Sequence, residues 1–503
     1  MIPLHRYALI ASLLCASAGA QTFVLGKTGG TLGKALRLEL QGPAGKAAIL
    51  LPSLNAGPTP LKLFDGKDPR SLSVGLDLIS LYQLVVLGPG TTTLSLPLPN
   101  DTSLASKRIH FQAFTIPGKV YLAGLLSNDI VSTLGTGGTW VQRGKLLKVS
   151  RAMPAMAPLP GGSVILIGGG SGSLLNGSGL SSTEIYDPAR QTWRPGPNMA
   201  SARGLLTATA LKNGKILVVG GANSAGVLKT CELYDPKTNK FSPTGSLSVP
   251  RAGHTASLLP DGRVLITGGL SDISSALKAV GSMKKSTEIY DPKTGRFSAG
   301  PNMSRERIAH TASLLPNGKI LIAGGISLNG FFRLPGMTSR CEIFDPKTNR
   351  FSGASSLPFT TAAHSQIRLK SGRILVAGGA RSSLLITDAK PIKDAARFDP
   401  TTGRWTRVGS MAVARTLPSL ARLAGGKILV IGGAQGTLDK PTATARCEVF
   451  DPATARFGPA TSLGISRAGA PALSLREGQI MVVGGGTGQG SKSIDTGEMY
   501  FPK

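Results

Sequence analysis

From about Arg151 to the last residue the chain repeats one short pattern seven times. Each copy is an apolar strand ending in Gly-Gly, then a loop, then an acidic-aromatic-Asp-Pro strand. The glycine pairs are Gly168-Gly169, Gly220-Gly221, Gly268-Gly269, Gly324-Gly325, Gly378-Gly379, Gly432-Gly433 and Gly484-Gly485, spaced 48 to 56 residues apart. A period near 50 with strand-type content predicts an all-β fold of the β-propeller type. The function stays open, because propellers carry enzymes and binding platforms alike.

The third copy shows the parts of one blade. Strand A runs from His254 to Leu259, and Pro260-Asp261-Gly262 supplies a tight turn. Strand B is Arg263 to Thr267, strand C is Thr287 to Tyr290, and Asp291-Pro292 turns into strand D near Arg296 to Ser298. Strand B is a continuous apolar run in every copy, such as Ile216-Leu217-Val218-Val219, which means burial on both faces. Strand D carries one large aromatic (Trp193, Phe241, Phe297, Phe351, Trp405 and Phe457) that is expected to fill the space between blades. Cys231, Cys341 and Cys447 share one repeat position, so the ring holds them beyond disulfide reach and they read as small packing residues.

The double glycine, the aromatic-Asp-Pro strand and the later aromatic resemble the kelch repeat. His254-Thr255-Ala256-Ser257-Leu258-Leu259-Pro260-Asp261-Gly262 is similar to bacterial kelch and galactose-oxidase-type propellers. The resemblance covers residues 138 to 503 and implies a seven-bladed kelch β-propeller. The last copy lacks strand D, and Thr139 to Leu146 matches the missing piece: compare Trp140 and Gly144 with Trp405 and Gly409. The strand at 138–143 is therefore expected to complete the seventh blade and remove an exposed edge.

Six copies place an arginine before strand A and a glutamate on strand C. The matched residues are Arg151 and Glu184, Arg203 and Glu232, Arg251 and Glu288, Arg307 and Glu342, Arg415 and Glu448, and Arg467 and Glu498. The fifth copy has Thr361 and Ala396 instead. Joint loss of both partners in one copy predicts a buried ion pair inside each blade, since one unpaired buried charge costs about 3–5 kcal/mol. These residues are read as structural.

His254, His310 and His364 occupy equivalent positions at the start of strand A in three neighbouring copies, where Pro154, Leu206, Pro418 and Ala470 stand in the others. They are candidate binding residues on the channel wall, and neighbouring blades hold them too far apart for one metal ion. The expected structural role is a ring nitrogen bonded to nearby backbone. Galactose oxidase and its relatives bind copper through tyrosines and histidines, including a Tyr-His neighbour pair. Here Tyr186, Tyr234, Tyr290 and Tyr500 all sit at the repeat's aromatic position and none adjoins a histidine. No Ser-His-Asp set, zinc motif, calcium loop or phosphate loop is present, so no cofactor and no metal are expected.

Charge points toward partners. The chain has 56 Lys and Arg against 26 Asp and Glu, a net charge of +30. The A–B and C–D turns lie on one face of a propeller, and they carry Lys212, Lys215, Arg263, Lys319, Arg373 and Lys427. The same face carries the candidate binding residues Lys237, Lys240, Lys293, Arg296, Lys347 and Arg350, with Arg404 and Arg456 beyond them. The opposite face carries unequal B–C loops such as 270–286, 326–340 and 380–394, where specificity usually resides. The few aromatics argue against nucleic acid.

Residues 1–20 read as an export signal: Arg6, the apolar run from Ala8 to Ala16, and the small-residue site Ala18-Gly19-Ala20. The mature chain is expected to begin at Gln21 and to hold no membrane helix. Residues 21–134 lack the repeat, and short apolar runs between Gly, Pro, Asn and Asp predict a small β-sandwich-like domain before the propeller at 135–503. The favoured reading is a secreted, periplasmic or cell-surface monomer that binds without catalysis. Its expected partners are anionic polysaccharide, an envelope surface or an extracellular protein. The alternative is a propeller-type carbohydrate-active enzyme, a sugar oxidase or epimerase.

Overall fold

The computed structural model describes residues 24–32, 34–42, 44–60, 71–74, 78, 82–116, 127, 130–134, 136–171, 178–329, 333–382, 389–437, 440–475, 478–487 and 493–503. The expected export signal lies outside these residues, as do parts of the B–C loops.

Seven four-stranded antiparallel sheets follow one another along the described chain, six of them in simple A-B-C-D order. In the third, the strands are Thr255–Leu258, Val264–Thr267, Thr287–Asp291 and Arg296–Ala299. Strand B is buried at all four positions in every sheet. Its two faces meet different neighbours. Ile165 and Ile167 pack with Leu206, Ile216, Val218 and Tyr234 of the next sheet, and Leu217 and Val219 pack with Val264, Ile266 and Tyr290 of the one after. Each such side chain contributes about 1.5–3 kcal/mol on burial, so the blades hold together through strand B.

The strand-D aromatic does more than bridge blades. Tyr290 lies opposite Phe297 in the ladder with ring centroids 4.9 Å apart, and Tyr186 and Trp193 stand at 5.3 Å. The tilted pair ties strand D to strand C while both rings also face the preceding blade. The intervening turn is closed by Asp291, whose Oδ1 accepts the Lys293 N–H at 2.8 Å. Gly295 follows at φ +68° and donates its N–H back to Asp291 at 2.8 Å.

The seventh sheet is closed by the start of the repeat region. Thr139–Lys145 pairs antiparallel with Thr496–Phe501, with Trp140 opposite Tyr500 and Val141 opposite Met499. Trp140 stacks on Tyr500 at 5.1 Å and donates its indole N–H to Thr461 of the sixth blade at 2.9 Å. Val141, Met481, Met499 and Phe501 then share a core with Val164 and Tyr186 of the first blade. The sheets therefore form a closed ring.

Before the ring stand a three-stranded and a four-stranded sheet. The first holds Val24–Thr28, Ala35–Gln41 and Thr91–Pro97. The second holds Gln83–Val86, Ala47–Ser53, Arg108–Ile116 and Ile130–Thr133. Along Ala35–Gln41 burial alternates, sending Leu36, Leu38 and Leu40 against Ala48, Leu50, Phe111 and Ala113 of the second sheet. The two sheets thus share one core. They rest on the turn face of the first and seventh blades: Arg108 donates to the Arg190 carbonyl at 2.6 Å, and Gln479 donates to the Gly29 carbonyl at 2.6 Å.

Truncation from Ser491 onward removes the strand between 480–483 and 139–145 and reopens the ring. The melting temperature of that variant is expected to fall by more than about 10 °C in a calorimetric scan; an unchanged value would show that the ring does not depend on this closure.

Candidate functional site

The residues that look most like a catalytic set are built into the scaffold. Each arginine before strand A is fully or almost fully buried, and its guanidinium meets the glutamate of its own blade. The distances are 3.0 Å for Arg151 and Glu184, 2.9 Å for Arg203 and Glu232, and 3.2 Å for Arg251 and Glu288. The other three are 2.8 Å for Arg307 and Glu342, 2.7 Å for Arg415 and Glu448, and 3.0 Å for Arg467 and Glu498. The second guanidinium nitrogen is also spent. Arg251 Nη1 donates to the carbonyls of Gly268 and Ser286, both at 2.9 Å, and the other five repeat this pattern. The glutamate's remaining oxygen accepts backbone N–H groups that lead into the same arginine, such as Ser248 at 2.7 Å on Glu288. In the fifth blade Thr361 Oγ1 donates to the Gly378 carbonyl at 2.9 Å, and Ala396 packs in the apolar core. A hydroxyl thus replaces one guanidinium contact where the pair is missing.

His254, His310 and His364 are buried in a row across three blade junctions. Their expected backbone partner is corrected by the structure. Each Nε2 meets a threonine hydroxyl of the preceding blade: Thr207 at 2.9 Å, Thr255 at 3.2 Å and Thr311 at 2.7 Å. Thr267 adds a second contact to His310 at 3.0 Å. Each ring packs against the first glycine of the preceding Gly-Gly pair. Burial pushes His254 and His310 down to about 3 and His364 to about 4, and the Arg251 and Arg307 guanidinium groups add to the effect for the first two. The imidazoles are therefore neutral at neutral pH. A threonine opens strand A in each blade that precedes a histidine, but nothing along the chain says that the two side chains meet.

The described histidines and tyrosines lie apart from one another. Each histidine is engaged across a separate junction. Tyr234 donates to Asn239 at 3.0 Å and Tyr290 bonds Thr244 at 2.8 Å, both in the outer turns. Among the described residues no three His, Cys, Asp or Glu side chains gather closely enough to hold a metal ion. Cys231, Cys341 and Cys447 are free and buried, and burial pushes each thiol up to about 11.

The turn face is cationic, and the structure divides its charges in two. The A–B turn cations are partly neutralised by the aspartate of the C–D turn in the same blade: Lys215 with Asp235 at 3.2 Å, and Lys319 with Asp345, Arg373 with Asp399 and Lys427 with Asp451 at 2.9 Å. Arg263 pairs with Asp261 of its own turn at 2.8 Å. Lys237, Lys240, Lys293, Arg296, Lys347 and Arg350 are all exposed and form no ion pair among the described residues. Pairing by the turn aspartate was the signal missed in sequence, since it depends on which side chains the turns bring together.

The opposite face is unequal from blade to blade. Short hairpins extend the B–C loops of the first, second, fourth, fifth and sixth blades. The third instead carries a short helix, Ala276–Gly281, capped by the Ser275 side chain, with Leu277 83% exposed. The fourth carries a pair of its own, Arg333 with the almost buried Glu306 at 3.4 Å.

Comparison with known proteins agrees with the repeat. The Kelch motif family matches residues 158–200 and 205–248. Kelch-like protein 25 of Xenopus tropicalis is 29% identical over 171 residues, covering 33% of this chain and 25% of the relative. Kelch-like protein 38 of Danio rerio is 31% identical over 98 residues, covering 19% of this chain and 16% of the relative. The chain thus spans a quarter or less of the curated relatives it matches. Among solved structures, a fungal alcohol oxidase in complex with copper aligns with a TM-score of 0.56 and 18% identity over 73% of this chain and 76% of its own; this likeness concerns the fold. The chain carries Kelch motifs, and its fold is that of a kelch-type β-propeller.

Two predictions test the buried residues. Glu448→Ala leaves Arg415 charged and unpaired in the core, and is expected to cost about 3–5 kcal/mol in urea unfolding. Adding Arg415→Thr, which copies the fifth blade, is expected to recover part of that loss; strict additivity would refute the pairing account. The histidines set an acid limit. Unfolded, each titrates near about 6.5. Folded, they take up protons only near 3 to 4, so the unfolded chain binds more protons in between. Their contribution is whole above about pH 6.5 and declines by about 1.4 kcal/mol per histidine per pH unit below it. Replacing all three with Gln is expected to flatten the fall in urea midpoint between pH 6.5 and pH 5.

Proposed function

We propose that this chain is an exported, non-enzymatic binding protein. Its turn face docks on anionic envelope or extracellular glycans, and its unequal loop face engages a separate protein partner. The observation that carries the reading is the division of labour among side chains. The repeated arginines, glutamates, histidines and tyrosines are consumed by the scaffold, whereas the exposed lysines and arginines of the turns remain open to solvent. A cationic face of this kind attracts anionic polymers at long range. The leader-like stretch at 1–20 supports export, and no helix among the described residues is long and apolar enough to cross a membrane. The alternative, a sugar oxidase or epimerase, would need convergent polar groups free to act on a sugar, and the histidines are buried at separate blade junctions with Nε2 on a threonine.

The test is a glycan array probed with the purified protein at about 0.05 M and about 0.5 M salt. Acidic glycans are expected to bind at the lower concentration and to be lost at the higher one. Retention insensitive to salt would remove the electrostatic half of the reading.

A further inference from the structure

On the turn face, the second to sixth blades repeat one arrangement that the first and seventh lack. Strand D opens with a cation in each: Lys240, Arg296, Arg350, Arg404 and Arg456. Each stands directly across the ladder from the turn aspartate of its blade, as Lys240 does from Asp235 and Arg350 from Asp345. In four of the five blades that carboxylate already holds an A–B turn cation, and in the third Asp291 accepts the Lys293 N–H at 2.8 Å. Asp345 accepts the Lys347 N–H at 2.9 Å and binds Lys319 at 2.9 Å, and these contacts hold it below the usual carboxylate range. Asp451 is held the same way by Lys427 and the Ala453 N–H. The strand-D cations are therefore left exposed and without an ion pair among the described residues.

The five cations lie on a track around the ring. In three of its four steps the segment after strand D of one blade meets the C–D turn of the next: Gly245 donates to the Gly295 carbonyl and Gly409 to the Ala455 carbonyl, both at 2.9 Å. Ser355 reaches the Gly403 carbonyl at 2.5 Å. The track ends where the N-terminal sheets sit. Ala189 of the first blade packs into their core, and Gln479 of the seventh bonds Gly29. The open cations thus trace an arc with one positive step per blade, bounded at both ends by the same domain.

Resting on the reading of the turn face as a polyanion-binding surface, we propose that this arc binds one unbranched acidic polysaccharide lengthwise, with its charges spread over five blades. The cations stand one to a blade, which favours an extended anion over a compact one. Duplex DNA is too stiff to follow a curve of this size, its persistence length being about 150 base pairs. Single-stranded nucleic acid needs exposed aromatic platforms, and the strand-D rings here are stacked on their strand-C partners at 4.9 to 5.3 Å. A flexible chain with an acidic group recurring along it meets both conditions.

The test uses the full-length protein and heparin-type oligosaccharides of about 4 to about 20 sugars, with inorganic phosphate and an oligothymidine of matched charge alongside. Affinity is expected to rise more than tenfold with length and to fall with salt at a slope that scales with the number of cations engaged. Lys240→Gln, Arg296→Gln, Arg350→Gln and Arg404→Gln introduced one after another are expected to lower that slope stepwise. Lys278→Gln with Lys285→Gln on the opposite face should leave it unchanged. An unaltered melting temperature shows that the variants fold, and charge reversal at Lys237, Lys293 and Lys347 gives a second set on the same arc. Tight binding that does not grow with length, or that survives these substitutions, overturns the arc while leaving a polyanion-binding face in place. Preference for oligothymidine over the sugar overturns the polysaccharide assignment. Binding of no probe at low salt overturns the underlying reading of the face itself.

Discussion

A buried guanidinium holds each of six blades together. In six blades one arginine ties strand C through its glutamate, the end of strand B through the first glycine carbonyl, and the residue before strand C through another carbonyl. Its own backbone carbonyl accepts the N–H of the second glycine in the preceding blade, at 2.8 Å from Gly269 to Arg307 and 2.9 Å from Gly485 back to Arg151. One residue therefore satisfies polar groups inside its blade and at the junction behind it. The glycine pair is the counterpart of that contact. At Gly268 a side chain would run into the Arg307 carbonyl and the His310 ring, and the positive φ of +66° is one that L residues seldom adopt. A buried charge of this kind is tolerable when a carboxylate and several hydrogen bonds surround it.

The fifth blade shows which part of that network is obligatory. With Thr361 and Ala396 in place of the ion pair, the glycine carbonyl still receives a hydrogen bond, and the inter-blade contact from Gly325 to the Thr361 carbonyl persists at 2.8 Å. Closure of the ring follows the backbone contact, and the charge serves the interior of each blade. The histidine row is a further adaptation of the same joint. Where the preceding blade offers a threonine hydroxyl, an imidazole can fill the space beside the glycine pair and stay neutral. In the sixth blade Pro418 takes the position, and Ser365 bonds its carbonyl instead.

Much of this is written in the residues. The repeat, the strand order, the closing strand at Thr139–Lys145 and the matched arginines and glutamates are all legible, because local pattern and joint absence in one copy carry them. Three things were not legible. The partner of each histidine lies about fifty residues upstream, across a junction that only the curvature of the ring creates. The pairing of Lys215, Lys319, Arg373 and Lys427 with turn aspartates depends on two turns of one blade meeting. The short helix at Ala276–Gly281 spans six residues, too few for a periodic pattern to separate it from the loop around it.

The sequence by itself determined that this chain would build blades, since a strand B apolar on both faces can be buried only between neighbours. It also determined that the last blade would borrow its outer strand from the start of the repeat region. Only the tertiary structure decided which charges are open. A lysine in a turn reads the same whether an aspartate lies beside it or not, and folding alone separates the neutralised cations from those that face solvent.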